Sequence, residues 1–406
     1  MRKPTVLHLI ETLTIGGAER LLSRLVLHLR EGEYDPVVCS LSDGPLRAEL
    51  EGRGVPVLTF HIARRSVILL PLFLKDVIKT VIRLIILIRR RKIDIIHAHL
   101  PDCAILAGIV GKLSGTAVVA TYHGLGIFPS GRNKFDPRNV LRAVFYRLAG
   151  KLADRSIAVS DSVRDLLRDS FRIHSSKIVV IYNGAEVSEY ERPVDSESVL
   201  SEWGLRQDDK IVTCIGRLVW NKGHEVLIRA GQEVVGHYPS ARILIVGDGP
   251  GRENLRGLVS QLGLGRHVLF LGERSDIPEI LAVTQVFVLP SFAEGISMAL
   301  LEAMAAGKPA VVTAVPGNRD VVVDQETGIL VPVQDSSALA EAICNLLADS
   351  SLAEKMGALG RLRIKARFDF EKTWRSTERV YDELMRKKGS PRRDHEHSYS
   401  DRRASS

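Results

Sequence analysis

Short, almost purely apolar runs punctuate the chain, and between them lie longer stretches in which apolar residues recur every three or four positions. In the first half the short runs are VLHLI (6–10), VVCSL (37–41), DIIHAH (94–99), AVVATYH (117–123) and SIAVS (156–160), with a helical pattern over 18–30. Apolar runs of this length that alternate with helical stretches predict strands of a parallel sheet with helices on both faces. A looser, polar stretch, EVSEYERPVDSESVLSEWG, comes after Asn183. The alternation then restarts with IVTCIG (211–216), RILIVGDG (242–249), HVLFLG (267–272) and QVFVLP (285–290). The pattern predicts an α/β chain that uses one architecture twice, divided between positions 186 and 205. Two open parallel sheets side by side leave a cleft at the carboxy ends of their strands, where ligands usually bind.

The 406 residues suit two comparable domains, and a 45% hydrophobic content is enough for large cores. The net charge of +8 sharpens the picture because it is local. Positions 61–92 carry nine Lys or Arg against Asp76, and positions 386–406 carry seven against three Asp or Glu. The tail has no apolar periodicity and is expected to be disordered. Outside these two segments the chain is slightly acidic. With aromatics at 5% and no reading motif, a nucleic-acid-binding protein is disfavoured. The four cysteines, Cys39, Cys103, Cys214 and Cys344, have neither zinc spacing nor a disulfide framework, so a reducing cytosol is expected. The opening MRKPTVLHLIETLT reads as a first strand, not a signal peptide.

Four places could grip a ligand. Gly16 and Gly17, between the first strand and its helix, let backbone approach an anion at a helix amino terminus. In GRLVWNKG, Arg217 and Lys222 sit between Gly216 and Gly223 just after the first strand of the second half. One bidentate guanidinium and one ammonium there suit a diphosphate. The later GDGPG (247–251) lacks the glycine spacing of a dinucleotide fingerprint and reads as a tight turn. In AEGISMALLEAMAAGKP (293–309), Glu294 lies in a loop after a strand and a helix is expected to begin near 296–298. At 100° per residue Leu300, Leu301, Met304 and Ala305 share the core face, with Glu302 opposite, beside the small Ala299 and Ala306. Helical side chains lean toward the amino terminus, so Glu302 points back toward Glu294. Carboxylates beside a phosphate site repel it unless they face hydroxyls, which favours two glutamates gripping a phosphorylated sugar. The fourth place is TYHG, where His123 ends an inner strand and should face the cleft.

Together these residues resemble the retaining glycosyltransferases of family 4. The spacing Glu-x7-Glu, the GRL…KG loop and the segments GGAER, HAHL, TYHG, YNGAE and TGILVP all occur in that family's order, from the first strand to about Asp382. The resemblance implies a GT-B fold of two Rossmann-like parallel-sheet domains facing a cleft. Residues 1–190 would form the acceptor domain and 191–370 the nucleotide-sugar donor domain, with a helix over 371–385 crossing back to the first domain and a basic tail over 386–406. Glu294 would contact hydroxyls of the transferred sugar, Glu302 the ribose, and His123 the sugar near the reacting carbon. Arg217 and Lys222 would neutralise the leaving diphosphate, helped by the amides of Gly295, Ile296 and Ser297 and by the Gly16-Gly17 turn. It further implies no cofactor, no essential metal and no dedicated protein nucleophile. One departure is Asp320 in GNRD, where many members carry glutamate. The implied function is transfer to a glycan or lipid-linked acceptor in cell-surface polysaccharide assembly, with synthesis of a soluble sugar or sugar phosphate as the alternative.

The segment VILLPLFLKDVIKTVIRLIILIRRRK (67–92) is interrupted by Lys75, Asp76, Lys79 and Arg83. Its longest uncharged run, Ser66 to Leu74, is far short of the roughly 20 residues a spanning helix needs. Lys75, Lys79 and Arg83 instead make a cationic stripe beside an apolar face, a pattern that suits the surface of an anionic membrane. The expected location is the cytoplasm, at the inner face of the membrane. A helix that packs its apolar face into the first domain is the competing expectation.

Overall fold

Every residue of Thr5–Ile10 is buried, as the middle of a parallel sheet requires when helices cover both of its faces. The computed structural model describes residues 2–60, 70–124 and 137–387, without the side chains of 70–75, 101 and 137–142. The first sheet is built from β1 (Thr5–Ile10), β2 (Asp35–Ser40), β3 (Val57–Thr59), β4 (Ile95–His99), β5 (Ala117–Tyr122), β6 (Arg155–Ala158) and β7 (Ile178–Val180). The second is built from β8 (Lys210–Ile215), β9 (Ala241–Val246), β10 (Val268–Gly272), β11 (Val286–Leu289), β12 (Ala310–Thr313) and β13 (Ile329–Val331). All strand pairs are parallel, in the orders β3-β2-β1-β4-β5-β6-β7 and β10-β9-β8-β11-β12-β13. This is the expected pair of parallel-sheet domains. The unanticipated strands, β3, β7, β12 and β13, are each three or four residues long, too short to carry a legible period.

In each sheet the strand order reverses beside the first strand. β1 lies between β2 and β4, and β8 lies between β9 and β11. Connections there diverge to opposite faces and open a crevice at the strand carboxy ends. The Gly16-Gly17 turn follows β1, His99 ends β4, Arg217 to Lys222 follow β8, and Ser291 to Glu294 follow β11. Topology alone therefore gathers these segments at the two crevices.

The carboxy-terminal helix, Phe370–Lys387, crosses back to the first domain as expected. Its buried Phe370, Thr373, Thr377, Val380, Tyr381 and Leu384 recur at helical spacing and form one apolar stripe. A bridge between Ala185 and Asp369 starts the crossing. Tyr34 then donates to Asp382 at 2.5 Å, and Arg155 pairs with Glu383 at 3.3 Å. Positions 61–69 and 388–406, which include parts of the basic segment and most of the tail, lie outside the described residues.

Candidate functional site

The loop after β11 leads into a helix at Met298–Ala305, and Ser297 caps it by accepting from the Leu300 amide at 3.4 Å. Among the described residues, the amides of Gly295, Ile296 and Ser297 donate to no protein acceptor. With the helix start they present N–H groups and the positive end of the helix dipole. Asn183 holds this loop from the first domain, donating to the Ile296 carbonyl at 3.2 Å.

Gly223, after the Arg217–Lys222 loop, has φ +68°, and a Cβ there would lie 2.0 Å from the Pro290 carbonyl oxygen. Only glycine lets the loop after β8 press so closely on the loop after β11. The approach carries Lys222 Nζ to 2.6 Å from Glu294 Oε1. The Glu294 side chain is 8% exposed and that of Lys222 22%, so the pair is mostly shielded from water. Arg217 is exposed and acts across the cleft on Glu19, in the first helix, Gly17–Glu31. Burial raises the Glu19 carboxyl, and its own backbone amide and Arg217 oppose the rise. Beneath this loop lies the GDGPG turn, where the Gly251 amide donates to the Leu218 carbonyl at 2.9 Å.

Glu302 is not on an open face. It is 4% exposed, because the first helix packs against the cleft helix, with Gly17 against Met298. Arg24 of the first helix places Nη2 3.6 Å from Glu302 Oε1 and 2.7 Å from Glu189 Oε2. Burial raises the Glu302 carboxyl, Arg24 and Arg20 draw it down, and Glu189 pushes it up. Arg24 was not singled out in the sequence, although it follows Arg20 by one helical turn on the same face.

His123 follows β5 and is partly buried. A Cβ on Gly295 would lie 2.4 Å from the His123 carbonyl oxygen, so the Glu294 loop meets the end of β5 backbone to backbone. Behind His123 is a stack of imidazoles that the sequence reading did not assign to a site. His123 Nε2 is 3.3 Å from His99 Nδ1, and His99 Nε2 is 3.2 Å from His8 Nδ1. His97 stacks on His99 at 4.2 Å and contacts the Tyr381 hydroxyl through Nδ1 at 2.5 Å and Thr121 Oγ1 through Nε2 at 2.6 Å. The signal was present in HAH. Residues two apart on a strand share a face, and His8 of β1 is in register with His97 of β4. Burial lowers His8 to about 3 and His123 to about 4. It also holds His97 and His99 well below the ordinary histidine value, with neighbouring imidazoles adding to the effect.

His8, His97 and His99 are also the group among the described residues with metal-ligand proximity, their ligand atoms lying within 4.8 Å of one another. Both nitrogens of His97 are already engaged by hydroxyls, and the group includes no carboxylate to balance a buried dication. The arrangement fits a neutral hydrogen-bonded stack better than a metal centre. Asp320 joins the domains elsewhere, its Oδ2 accepting from the Ser162 hydroxyl at 2.8 Å.

The four segments singled out by sequence thus converge, with Gly17 on Met298, Lys222 on Glu294 and Gly295 on His123 in contact, and Arg217 near enough to draw the Glu19 carboxyl down. Residues 15–189 match the Glycosyltransferase Family 4 family, and residues 195–363 match the glycosyl transferases group 1 family. The chain is 30% identical over 304 residues to the N-acetyl-alpha-D-glucosaminyl L-malate synthase of Bacillus anthracis, covering 73% of this chain and 77% of that one. It is 27% identical over 347 residues to the UDP-Gal:alpha-D-GlcNAc-diphosphoundecaprenol alpha-1,3-galactosyltransferase of Escherichia coli, covering 83% and 86%. Its fold superposes on Anabaena HepE, solved in complex with UDP and glucose, with TM-score 0.78 and 25% identity over 94% of this chain and 100% of that one.

Proposed function

The chain belongs to the family 4 glycosyltransferases, built on the GT-B fold, and on that premise we propose a retaining enzyme that uses a nucleoside-diphosphate sugar. Its acceptor is a glycan or a lipid-linked glycan of cell-surface polysaccharide assembly. The observation that carries this reading is the meeting of Lys222, Glu294 and the Gly295–Ser297 amides with His123 across the cleft. A diphosphate seated at the helix start meets N–H donors, the dipole and two cations, Arg217 and Lys222, as negative charge develops on the departing phosphate. Glu294 grips hydroxyls of the transferred sugar, and its pairing with Lys222 limits its repulsion of the phosphates. Glu302 takes the ribose hydroxyls. Gly16 and Gly17 bring the first helix against the same pocket. In this mechanism the bond from the anomeric carbon to the phosphate oxygen breaks as the acceptor oxygen bonds on the same face. The departing phosphate takes the acceptor proton, and no protein base is assigned.

A lipid-linked acceptor is supported by the surface of the first domain. On the helix Leu70–Arg91, Ile78, Ile82 and Ile86 are 58%, 52% and 45% exposed, with the exposed Lys79 and Arg83 beside them. The helices Pro101–Ser114 and Pro137–Leu152 pack alongside and expose Leu113, Val144, Phe145 and Leu148. Among the described residues, no helix is long and apolar enough to cross a membrane. An apolar ridge flanked by cations fits peripheral contact with anionic lipid at the inner face of the membrane. The side chain of Lys75, part of the stripe, lies outside the described residues. The similarity to the N-acetyl-alpha-D-glucosaminyl L-malate synthase supports the second reading, a soluble acceptor, which needs no such ridge.

A thermal-shift screen with UDP-galactose, UDP-glucose, UDP-N-acetylglucosamine and GDP-mannose tests the donor. A ligand at 100 times its Kd stabilises the folded state by about 2.7 kcal/mol, enough for a clear rise in melting temperature. No rise with any nucleotide sugar or with UDP would overturn the reading. The anomeric configuration of the product, read by NMR coupling, tests retention.

A further inference from the structure

His8, His99 and His123 form one continuous chain of ring nitrogens that runs from the middle of the first sheet to the cleft. Each link joins two nitrogens at 3.2 and 3.3 Å, and one of each pair must carry hydrogen. The rings are also stacked, at 5.5 Å between His8 and His99 and 5.6 Å between His99 and His123, so their planes are fixed together. Among the described residues, both ends of the chain are buried atoms without a protein partner: Nε2 of His8 inside the sheet, and Nδ1 of His123, the residue that meets the Glu294 loop.

A neutral imidazole holds one hydrogen, so His99 can donate in one direction only. The chain therefore has two possible polarities. In one, His123 donates to His99 and His99 to His8, which leaves a buried N–H on His8 Nε2 with no acceptor among the described residues. In the other, His8 donates from Nδ1 to His99 Nε2, and His99 from Nδ1 to His123 Nε2. The unpaired inner atom is then a bare lone pair, and the unpaired outer atom is an N–H at the cleft. Orphaned buried N–H groups are rarer than under-satisfied acceptors, and the second polarity moves the N–H to where a ligand oxygen can accept it.

We propose that His99, backed by His8, is a positioning residue that holds His123 as its Nδ1–H tautomer, so that His123 presents a neutral hydrogen-bond donor to an oxygen of the donor sugar or its phosphate. This rests on the donor-site reading above. It also assigns His123 a definite chemistry. With its free nitrogen protonated it cannot act as a general base, and burial keeps the ring neutral where a cation would otherwise be formed. His97 lies outside the relay, committed to Tyr381 and Thr121, and supports the stack from one side.

The test is long-range ¹⁵N–¹H correlation NMR on full-length protein labelled at histidine nitrogens, with His123→Asn identifying the His123 signals. The expected result is hydrogen on Nδ1 of His8, His99 and His123. In His99→Phe, which keeps a stacked ring, His123 loses its fixed tautomer and turnover of the nucleotide sugar falls about 100-fold. Hydrogen on Nε2 of wild-type His123, or a His123 tautomer unchanged in folded His99→Phe, overturns the proposal. The wild-type assignment needs no variant, so misfolding of His99→Phe leaves the test intact. Addition of UDP and the four nucleotide sugars separates the two readings. A fixed Nδ1–H tautomer with a His123 signal that no nucleotide sugar moves retains the positioning role and overturns the donor-site reading.

Discussion

Arg24 and Glu302 meet across the boundary of the two domains, with Nη2 3.6 Å from Oε1, although one belongs to the first helix and the other to the cleft helix. The carboxylate proposed to hold the ribose is thus supported by a cation from the opposite domain. Glu302 faces Arg24 and Arg20 on the first helix and Glu189 and Tyr190 on the connecting segment, and burial raises its carboxyl. Removing Arg24 removes the largest opposing influence and raises it further. Arg24→Gln should weaken UDP binding about 30-fold at neutral pH, close to 2 kcal/mol. Because the ionised carboxylate is the acceptor and its carboxyl is raised further in the variant, the affinity lost on substitution should be larger at acid pH and shrink as pH rises. Calorimetric titration of UDP in both proteins at the same pH values, compared pairwise so that ionisation of the UDP phosphate at about pH 6 cancels, is the check. Equal pH dependence in both proteins would remove Arg24 from this role.

Lys222 and Glu294 should behave as one unit. Lys222→Met strands a carboxylate that is 8% exposed, at a cost of about 2 kcal/mol, below the value for fully buried pairs because Lys222 is 22% exposed. Lys222→Met combined with Glu294→Gln should recover part of that stability, whereas turnover should be abolished in the double variant and in each of Lys222→Met and Glu294→Gln alone. Urea unfolding gives the coupling energy directly, and additive losses would show that the pair is not coupled.

Gly295→Ala opens the contact between the Glu294 loop and the end of β5. The added Cβ falls 2.4 Å from the His123 carbonyl oxygen, so the Glu294 loop must retreat from the end of β5. The Michaelis constant for the nucleotide sugar should rise at least about 10-fold, since small misplacements of bound groups carry large kinetic penalties. The melting temperature should fall as well, because the clash is with backbone and the retreating loop carries the buried Ile296 and its bond from Asn183. Unaltered kinetics would mean that the close approach has no part in donor binding.

Acid should destabilise the protein earlier than carboxylate titration alone predicts. His8, His123 and His224 are lowered by burial to about 3, 4 and 4, against about 6.5 in the unfolded chain. The unfolded state therefore binds more protons below pH 6.5, and the stability held above that pH is lost progressively toward the folded values. Each such histidine contributes a slope of about 1.4 kcal/mol per pH unit. A fall of at least about 2.7 kcal/mol between pH 6 and 5, equal to two protons, should appear in urea unfolding at fixed m-value. A constant urea midpoint over that interval would contradict the buried neutral stack.

The exposed isoleucine ridge should bind lipid. At low salt the protein should pellet with liposomes containing phosphatidylserine, and 0.5 M salt should release much of it, at about 1 kcal/mol for each basic residue near the surface. Lys75→Gln, Lys79→Gln and Arg83→Gln together, or Ile82→Ser with Ile86→Ser, should lower the pelleted fraction while UDP affinity is unchanged. Undiminished binding of both variants would move the contact elsewhere.

Much of the architecture was already determined along the chain. Runs such as TVLHLI and RILIV are apolar without alternation, so they could only be strands covered on both faces, and the glycines after β1 and β8 mark where backbone must pass close. The residues proposed to grip the ligand were legible because strand-end loops carry them in short motifs. Tertiary structure decided the rest. Glu302 looked open at helical periodicity, and only packing of the first helix shows that Arg24 covers it. HAH gave two same-face histidines, but the relay exists because β1 pairs with β4 and brings His8 beside them. Periodicity assigns a residue to a face of its own element. What that face meets depends on strand order and domain approach, which arise from contacts between distant segments and have no local signature.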